Sequence, residues 1–412
     1  MAGDLLSVDD ALRRLLADLR PLASEGVALE QACGRTLAEP VVSDIPLPPF
    51  TNSAVDGYAA RADDVAAAAQ DRPIFLAVVG EIPAGRMAER PVAAGQAMRI
   101  TTGAPLPPGA DCVVMVEDTD DAVPMISGAL PTQVAVRKAV RQGANVRLAG
   151  EDVAAGVEVL ASGRRLRPAD IALLAAVGWA RVPVHRRARV AVLSTGDELV
   201  SVEEPLTPGR IHDANGYALP AAIEAAGGQA VRLAISPDEI DGIVRGLDQA
   251  VESGADMILA TAGVSVGAHD YVRQAVCRHG SLAFWRVNMR PGKPLAVGSY
   301  RGRPFMGLPG NPVSALVSFE VFVRPALARL QGEKGPDRNR LQVRLQEEVR
   351  SDGRETYLRA QVAWAEQEYH ARLAGGQGSG MLSTLAAANA LVIVPAGLRQ
   401  VSPGTMLEAW LL

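Results

Sequence analysis

Between Ser7 and Leu19 the apolar residues Val8, Ala11, Leu12, Leu15, Leu16 and Leu19 recur at the i, i+3, i+4, i+7 spacing of one helix face, and Ser7 with Asp10 makes a capping-box pattern ahead of them. The spacing predicts an amphipathic helix over 7–20. Pro40, Pro46, Pro48 and Pro49 then hold the backbone extended and remove ladder donors, which predicts a crossing linker over 40–54 that leads into Asp56-Gly57. From 73 to 160 the period shortens to β-type runs at 74–79, 96–101, 112–117 and 133–140, separated by Gly and Pro turns. Such spacing predicts a small β-barrel or sandwich. From 188 to 332 apolar strands at 190–194, 230–235 and 255–260 alternate with helical stretches at 218–226, 239–252 and 270–278. That alternation is the signature of a parallel sheet wound with helices on both faces. After a charged break at 332–340, an alternating run at 341–346 and further runs at 357–364 and 391–395 predict a C-terminal all-β unit.

Composition narrows the picture. Hydrophobic residues make up 48% and charged residues 21% of 412 residues, the balance of a folded chain of two to three domains rather than a disordered one. Lys+Arg at 41 against Asp+Glu at 46 leave a net charge of -5, the wrong sign for a nucleic-acid grip. Cys33, Cys112 and Cys277 are odd in number and far apart, so a disulfide framework and a CxxC zinc site are both excluded. Asp4, Asp9 and Asp10 near the start oppose a secretory signal, and no apolar run reaches membrane-spanning length. The expectation is a cytoplasmic protein with neither a membrane nor nucleic acid as partner.

In wound α/β sheets ligands bind beyond the C-terminal strand ends, where βα loops and helix starts converge. Two such loops, Ser194-Thr195-Gly196-Asp197-Glu198 and the stretch from Thr261 through Gly263, Ser265 and Gly267 to Asp270, read as phosphate cradles of small residues and hydroxyls. A third anion site is expected at Pro309-Gly310-Asn311-Pro312, with Asn311 capping a helix that opens on Pro312. Lys293, on a rigid Pro-Gly-Lys-Pro turn, outweighs any single loop amide. A charge pair at ~4 Å is worth roughly 4 kcal/mol at an effective dielectric of 20, against about 0.3–1 kcal/mol for a helix terminus. Asp56, Glu151, Asp152, Asp197, Glu198, Asp213 and Asp270 all fall in turns or loop ends. Carboxylates around a phosphate loop repel an anion unless a hard cation lies between, which predicts Mg2+ with a phosphorylated ligand.

The motifs also resemble a known family. Residues 51–59 (Thr-Asn-Ser-Ala-Val-Asp-Gly-Tyr-Ala), 99–105 with Thr102 and Gly103, 143–152, 194–199, 209–215 (Gly-Arg-Ile-His-Asp-Ala-Asn), 263–270, 291–294 and 308–312 follow in the order of the molybdopterin molybdenumtransferases, bacterial MoeA and the E domain of gephyrin. The resemblance implies a four-part subunit of α/β plus β class. Its parts would be an N-terminal helix and linking domain (1–45 and 145–176), an inserted β-domain (46–144), a central wound α/β domain like that of the molybdopterin adenylyltransferases (177–332), and a C-terminal β-barrel (333–412).

It further implies a homodimeric enzyme of molybdenum cofactor biosynthesis that binds adenylylated molybdopterin, cleaves it with release of AMP in a Mg2+-dependent step, and places molybdenum from molybdate on the dithiolene. A molybdopterin adenylyltransferase and acceptor molybdoenzymes are the implied further partners. By position, Asp56, Asp152, Glu198, Asp270 and Lys293 resemble the family's catalytic residues, with Asp56, Glu198 and Asp270 as its Mg2+ or molybdate ligands. Thr102, Gly103, Ser194, Thr195, Gly196, Asp197, Asp213, Asn215, Gly263, Ser265, Gly267, Pro309, Asn311 and Ser379 resemble its substrate-binding positions. Two departures stand out: Ala262 precedes Gly263 where the family has two glycines, and of an expected acidic pair near 236–238 only Asp238 is present. An adenylyltransferase-like nucleotide-handling enzyme and a non-catalytic scaffold of the same fold are the alternatives.

Overall fold

The computed structural model describes residues 5–121, 129–261, 271–335 and 339–412. They fall into two compact units, one of Pro40–Ser162 with Pro168–Arg181, the other of Met1–Glu39, Gly163–Arg167 and Val182–Leu412.

The first unit is built on a five-stranded sheet. Strands β1 (Gly57–Ala60), β2 (Ile74–Ile82), β3 (Gln96–Ile100), β4 (Cys112–Met115) and β5 (Gln133–Val136) lie in the order β4-β1-β3-β2-β5. Alternate residues feed opposite faces: Tyr58, Leu76, Val114 and Val134 belong to one apolar cluster, and Ala59, Ile82, Met98, Ile100 and Val113 to another. Four of these are the β-runs expected from the sequence, with that at 74–79 running on to Ile82 and the other three ending earlier; Gly57–Ala60 is a fifth strand the sequence did not mark. In the proline-rich stretch ahead of them, Leu47 bridges Val153 antiparallel.

The second unit opens with helix α1 (Val8–Ala17), where Ser7 Oγ accepts from the Asp10 amide at 3.0 Å and donates to its carboxylate at 2.8 Å. Its Ala11 and Leu15 enter the largest core cluster. The α/β part then runs β6 (Arg189–Ser194), α2 (Asn215–Ala225), β7 (Gln229–Arg232), α3 (Ile240–Glu252), β8 (Met257–Thr261), α4 (Tyr271–His279), β9 (Gly280–Val287), β10 (Pro294–Tyr300), β11 (Arg303–Leu308), α5 (Pro312–Ser318), a π-helical segment Phe319–Val323 and α6 (Arg324–Leu330). In β6, Val190 and Val192 pack with Leu219 and Ile223 of α2, whereas Ala191 and Leu193 pack with Ile243 and Leu247 of α3. Burial on both faces explains why the strand reads as an unbroken apolar run.

The wound sheet is mixed rather than parallel throughout. Its order is β9-β10-β11-β8-β6-β7, with Leu5–Leu6 at the β9 edge; β6, β7, β8 and β11 are mutually parallel, while β10 runs antiparallel to both neighbours. The cause is local. Only Arg301 and Gly302, with φ 45 and 76, join β10 to β11, and so short a link makes a hairpin, not a crossover.

The C-terminal part closes on itself. Strands β12 (Arg340–Leu345), β13 (Glu355–Ala365), β14 (Glu368–Leu373), β15 (Ala390–Val394) and β16 (Met406–Leu411) pair in the cycle β13-β14-β12-β16-β15-β13, which makes the expected barrel one of five strands. Its interior is filled by Val343, Leu345, Leu358, Ala360, Val392 and Leu407. Among the described residues, no helix is long and apolar enough to cross a membrane.

Candidate functional site

The ends of three parallel strands define one edge. Ser194 of β6 is in register with Thr261 of β8, and Thr261 with Leu308 of β11, so the three strands end side by side. The middle loop, with Ala262, Gly263, Ser265, Gly267 and Asp270, lies outside the described residues.

The first loop begins buried and turns outward. Ser194 and Thr195 are 2% and 1% exposed, and the Thr195 hydroxyl donates to the Thr261 carbonyl at 3.1 Å. Gly196 donates its amide to the Ser236 carbonyl at 3.2 Å, after which Asp197 and Glu198 face solvent. The Asp197 carboxylate accepts the Asp238 amide at 3.1 Å, and Arg210 donates to the Asp197 carbonyl. Asp197, Glu198 and Asp238 thus form an acidic group. The Asp238 carboxyl is raised above its ordinary range, first by burial and then by the charges of Asp197 and Glu198.

The start of α2 faces the same edge. Asp213, 2% exposed, accepts the Gly216 amide at 2.8 Å, while the Asn215 side-chain amide donates to the Gly310 carbonyl at 2.7 Å. Position 216 must be glycine for this approach, since a Cβ there would sit 2.0 Å from Asp213 Oδ2 and 3.1 Å from Ser194 Oγ. Among the described residues, three buried polar atoms are left without a hydrogen-bond partner here: Ser194 Oγ, Ser236 Oγ and Asn215 Oδ1. A buried unpaired group costs about 1–3 kcal/mol, and three around one strand end are the mark of a site shaped for a polar guest.

The third loop corrects one expectation. Asn311 holds the N-cap position of α5, but its side chain makes no cap; it donates instead to Ser379 Oγ at 3.3 Å. Pro309 is buried ahead of it, and Ser379 lies in the loop between β14 and β15, so the barrel contributes to the same edge. Lys293 stands half-buried after Gly292, whose φ is 100 and whose missing side chain lets the turn close on Ser318; a Cβ would lie 2.6 Å from Ser318 Oγ.

Arg359 escaped the sequence reading. It is fully buried in β13 and donates to Thr384 Oγ1 at 2.8 Å and to the Gly376 and Gly378 carbonyls at 2.8 and 3.1 Å, with Nη1 unpartnered. None of these acceptors is a carboxylate. Burial, then the charge of Arg290, holds its guanidinium below the ordinary value. An arginine inside the apolar run Tyr357-Leu358-Arg359-Ala360 was the available signal.

In the other unit, Asp56 Oδ1 accepts both the Thr102 amide at 2.6 Å and the Thr102 hydroxyl at 2.9 Å. Gly103, at φ 80, donates its amide to the Ser53 carbonyl at 2.8 Å. Asp152 is exposed in a turn tied to the Leu47 carbonyl by its amide at 3.0 Å. Among the described residues, no three His, Cys, Asp or Glu side chains are placed to ligate one ion. Of the expected ligands, Asp56 and Glu198 belong to different units and Asp270 lies outside the described residues.

Comparison with known proteins covers nearly the whole chain. Residues 6–178 match the MoeA N-terminal region (domain I and II), 191–329 a probable molybdopterin binding domain, and 342–412 the MoeA C-terminal region (domain IV). Molybdopterin molybdenumtransferase 2 of Mycobacterium tuberculosis is 40% identical over 98% of this chain and 99% of its own. The molybdopterin molybdenumtransferase of Nostoc is 40% identical over 92% of this chain and 87% of its own. The crystal structure of the molybdopterin biosynthesis MoeA protein from Pyrococcus horikoshii superposes with a TM-score of 0.83 at 31% identity, covering 99% of this chain and all of the other.

Proposed function

The chain belongs to the MoeA family of molybdenum cofactor biosynthesis enzymes, and from that premise we propose that it binds adenylylated molybdopterin along the strand ends of its α/β part, breaks the pyrophosphate bond with release of AMP, and transfers molybdenum from molybdate to the dithiolene. The observation that carries the reading is the trio of buried, unpartnered atoms Ser194 Oγ, Ser236 Oγ and Asn215 Oδ1 beside the acidic group of Asp197, Glu198 and Asp238. Two hydroxyls and an amide oxygen suit the donors and acceptors of a phosphorylated heterocycle. The sulfur ligands for molybdenum belong to the substrate, in keeping with three scattered cysteines.

Each residue then has a task. Ser194, Thr195, Gly196 and Asn215 orient the substrate, while Asp213 holds the start of α2 in place through the Gly216 amide. Lys293 and the spare Nη1 of Arg359 neutralise oxyanion charge, and Asn311 with Ser379 sets the barrel loop against α5. Thr102 fixes the Asp56 carboxylate and leaves Oδ2 for the substrate or an ion. Asp56, Asp152 and Asp270 are proposed as catalytic carboxylates, with Gly103, Gly263, Ser265, Gly267 and Pro309 shaping the surface that the substrate meets.

Mg2+ fits the donor chemistry, because it is typically held by one or two carboxylates and completed by phosphate oxygens. Glu198 with Asp197 or Asp238 would hold it, and it would supply charge neutralisation at the phosphates. We propose a cytoplasmic homodimer with a molybdopterin adenylyltransferase and acceptor molybdoenzymes as its neighbours in the pathway. The test is to incubate the full chain with adenylylated molybdopterin, Mg2+ and molybdate and to follow AMP and metallated product. Absence of AMP release, or full turnover in Asp56→Asn, Asp152→Asn and Asp270→Asn variants alike, overturns the reading.

A further inference from the structure

The opposite edge of the wound sheet holds a cavity of about 610 Å³ among the first residues of β6 and β7, the last turn of α2 and the turn that follows α3. Six strand residues at about 3.3 Å rise put it roughly 17 Å from Ser194. Four arginines line it: Arg35, Arg186, Arg187 and Arg189. Two of them are already neutralised. Arg35 donates to Glu25 and to the His185 carbonyl at 2.9 Å, and Arg186 grips Asp256 with two hydrogen bonds of 2.8 and 2.6 Å. Asp256 also accepts the Arg189 main-chain amide at 2.8 Å. The Arg189 side chain is different: its Nε is buried and has no hydrogen-bond partner among the described residues. Arg187 is exposed and has no carboxylate partner among the described residues.

A purely structural role for these charges is to face the carbonyl ends of α2 and α3, whose last turns carry no basic residue. That accounts for positive charge near the edge but leaves the buried Nε–H unsatisfied. A guanidinium fork with a free donor suits an oxyanion. The rest of the lining sets the remainder of the guest. Glu25 and Glu224 oppose a bare polyanion yet accept hydrogen bonds from hydroxyls, Gln229 and Ser253 are neutral and polar, and among the lining residues there is no aromatic ring to stack a base. The volume is far larger than an isolated tetrahedral ion and within the range of small-molecule sites.

We propose that this cavity is a second binding site, for a hydroxyl-rich phosphate monoester whose phosphate is held by Arg187 and Arg189 and whose hydroxyls meet Glu25 and Glu224. The proposal stands apart from the molybdenum chemistry and does not depend on it.

Calorimetric titration of the full chain with glucose 6-phosphate, glucose and inorganic phosphate tests it. Glucose 6-phosphate should bind at least tenfold more tightly than either of the others. Arg187→Gln with Arg189→Gln should weaken it at least tenfold, and Arg187→Gln alone, at an exposed position that keeps the fold, should weaken it severalfold. Lys293→Gln, at the other edge, should leave the affinity unchanged. Equal affinity in the arginine variants, loss of binding in Lys293→Gln, or no preference for glucose 6-phosphate over phosphate in the unaltered protein overturns the site.

Discussion

Asn215 spends its side-chain amide on the carbonyl of Gly310, at 2.7 Å, and so ties the first turn of one helix to the turn that precedes another. Its Oδ1, buried, has nothing to accept from among the described residues. The tie and the vacancy predict different losses. Asn215→Ala removes a hydrogen bond of net worth about 0.5–1.5 kcal/mol, which urea unfolding should report as a small decrease. If Oδ1 receives a substrate donor, KM for adenylylated molybdopterin should rise at least tenfold with kcat changed far less. A variant with unaltered KM would show that Asn215 only ties the two turns.

Gly216→Ala tests the crowding beneath that residue. The new methyl would lie 2.0 Å from Asp213 Oδ2, so either the α2 start or the Asp213 side chain must shift. Overpacking of this kind costs about 1–3 kcal/mol. The expected result is a destabilisation in that range by denaturant titration, and loss of substrate affinity, since Ser194 Oγ lies 3.1 Å from the same methyl. Stability and affinity equal to those of the parent would mean that the loop relaxes freely.

Much of this arrangement is legible in the linear chain. Ser194 stands out because small and polar residues follow an apolar strand, Asp213 and Asn215 through the resemblance of 209–215 to the family motif, and the Ser7–Asp10 box and α1 need only local spacing. Long-range pairing is not legible in the same way. Whether β10 runs with or against β11 depends on a two-residue link that composition does not distinguish from a loop, and Asn311 has a cap residue's identity while its side chain turns to Ser379, 68 positions onward. Arg359 was hidden for a related reason. Its acceptors are the Gly376 and Gly378 carbonyls and a threonine of the short helix Leu382–Ala387, none marked by charge.

The acidic group makes a pH-dependent prediction. Because the Asp238 carboxyl is raised by burial and by Asp197 and Glu198, its folded form binds a proton more tightly than the unfolded form does. Below the unfolded value, about 3.9, the group costs no stability; the cost grows as pH rises toward the folded value and is complete above it. Asp238→Asn should therefore stabilise the protein at pH 7, and the gain should shrink as pH falls to 4. The side chain is exposed, so salt should shrink the gain too. Millimolar Mg2+ should move the Asp238 midpoint down in a carboxyl-detected NMR titration, whereas an unchanged midpoint would remove this group from the ion's ligands.

Arg359 separates architecture from anion binding. Arg359→Met leaves the hydroxyl of Thr384 and the carbonyls of Gly376 and Gly378 without their donor. At about 1–3 kcal/mol for each buried unpaired group, less where water enters, a loss of roughly 3 kcal/mol is expected by thermal or urea unfolding. Arg359→Lys keeps a positive charge and one or two of those bonds but cannot present the planar fork. It should recover most of the stability while molybdate affinity, measured by equilibrium dialysis, stays at least tenfold weaker than in the parent. Recovery of both together would mean that the free Nη1 donor serves the barrel alone.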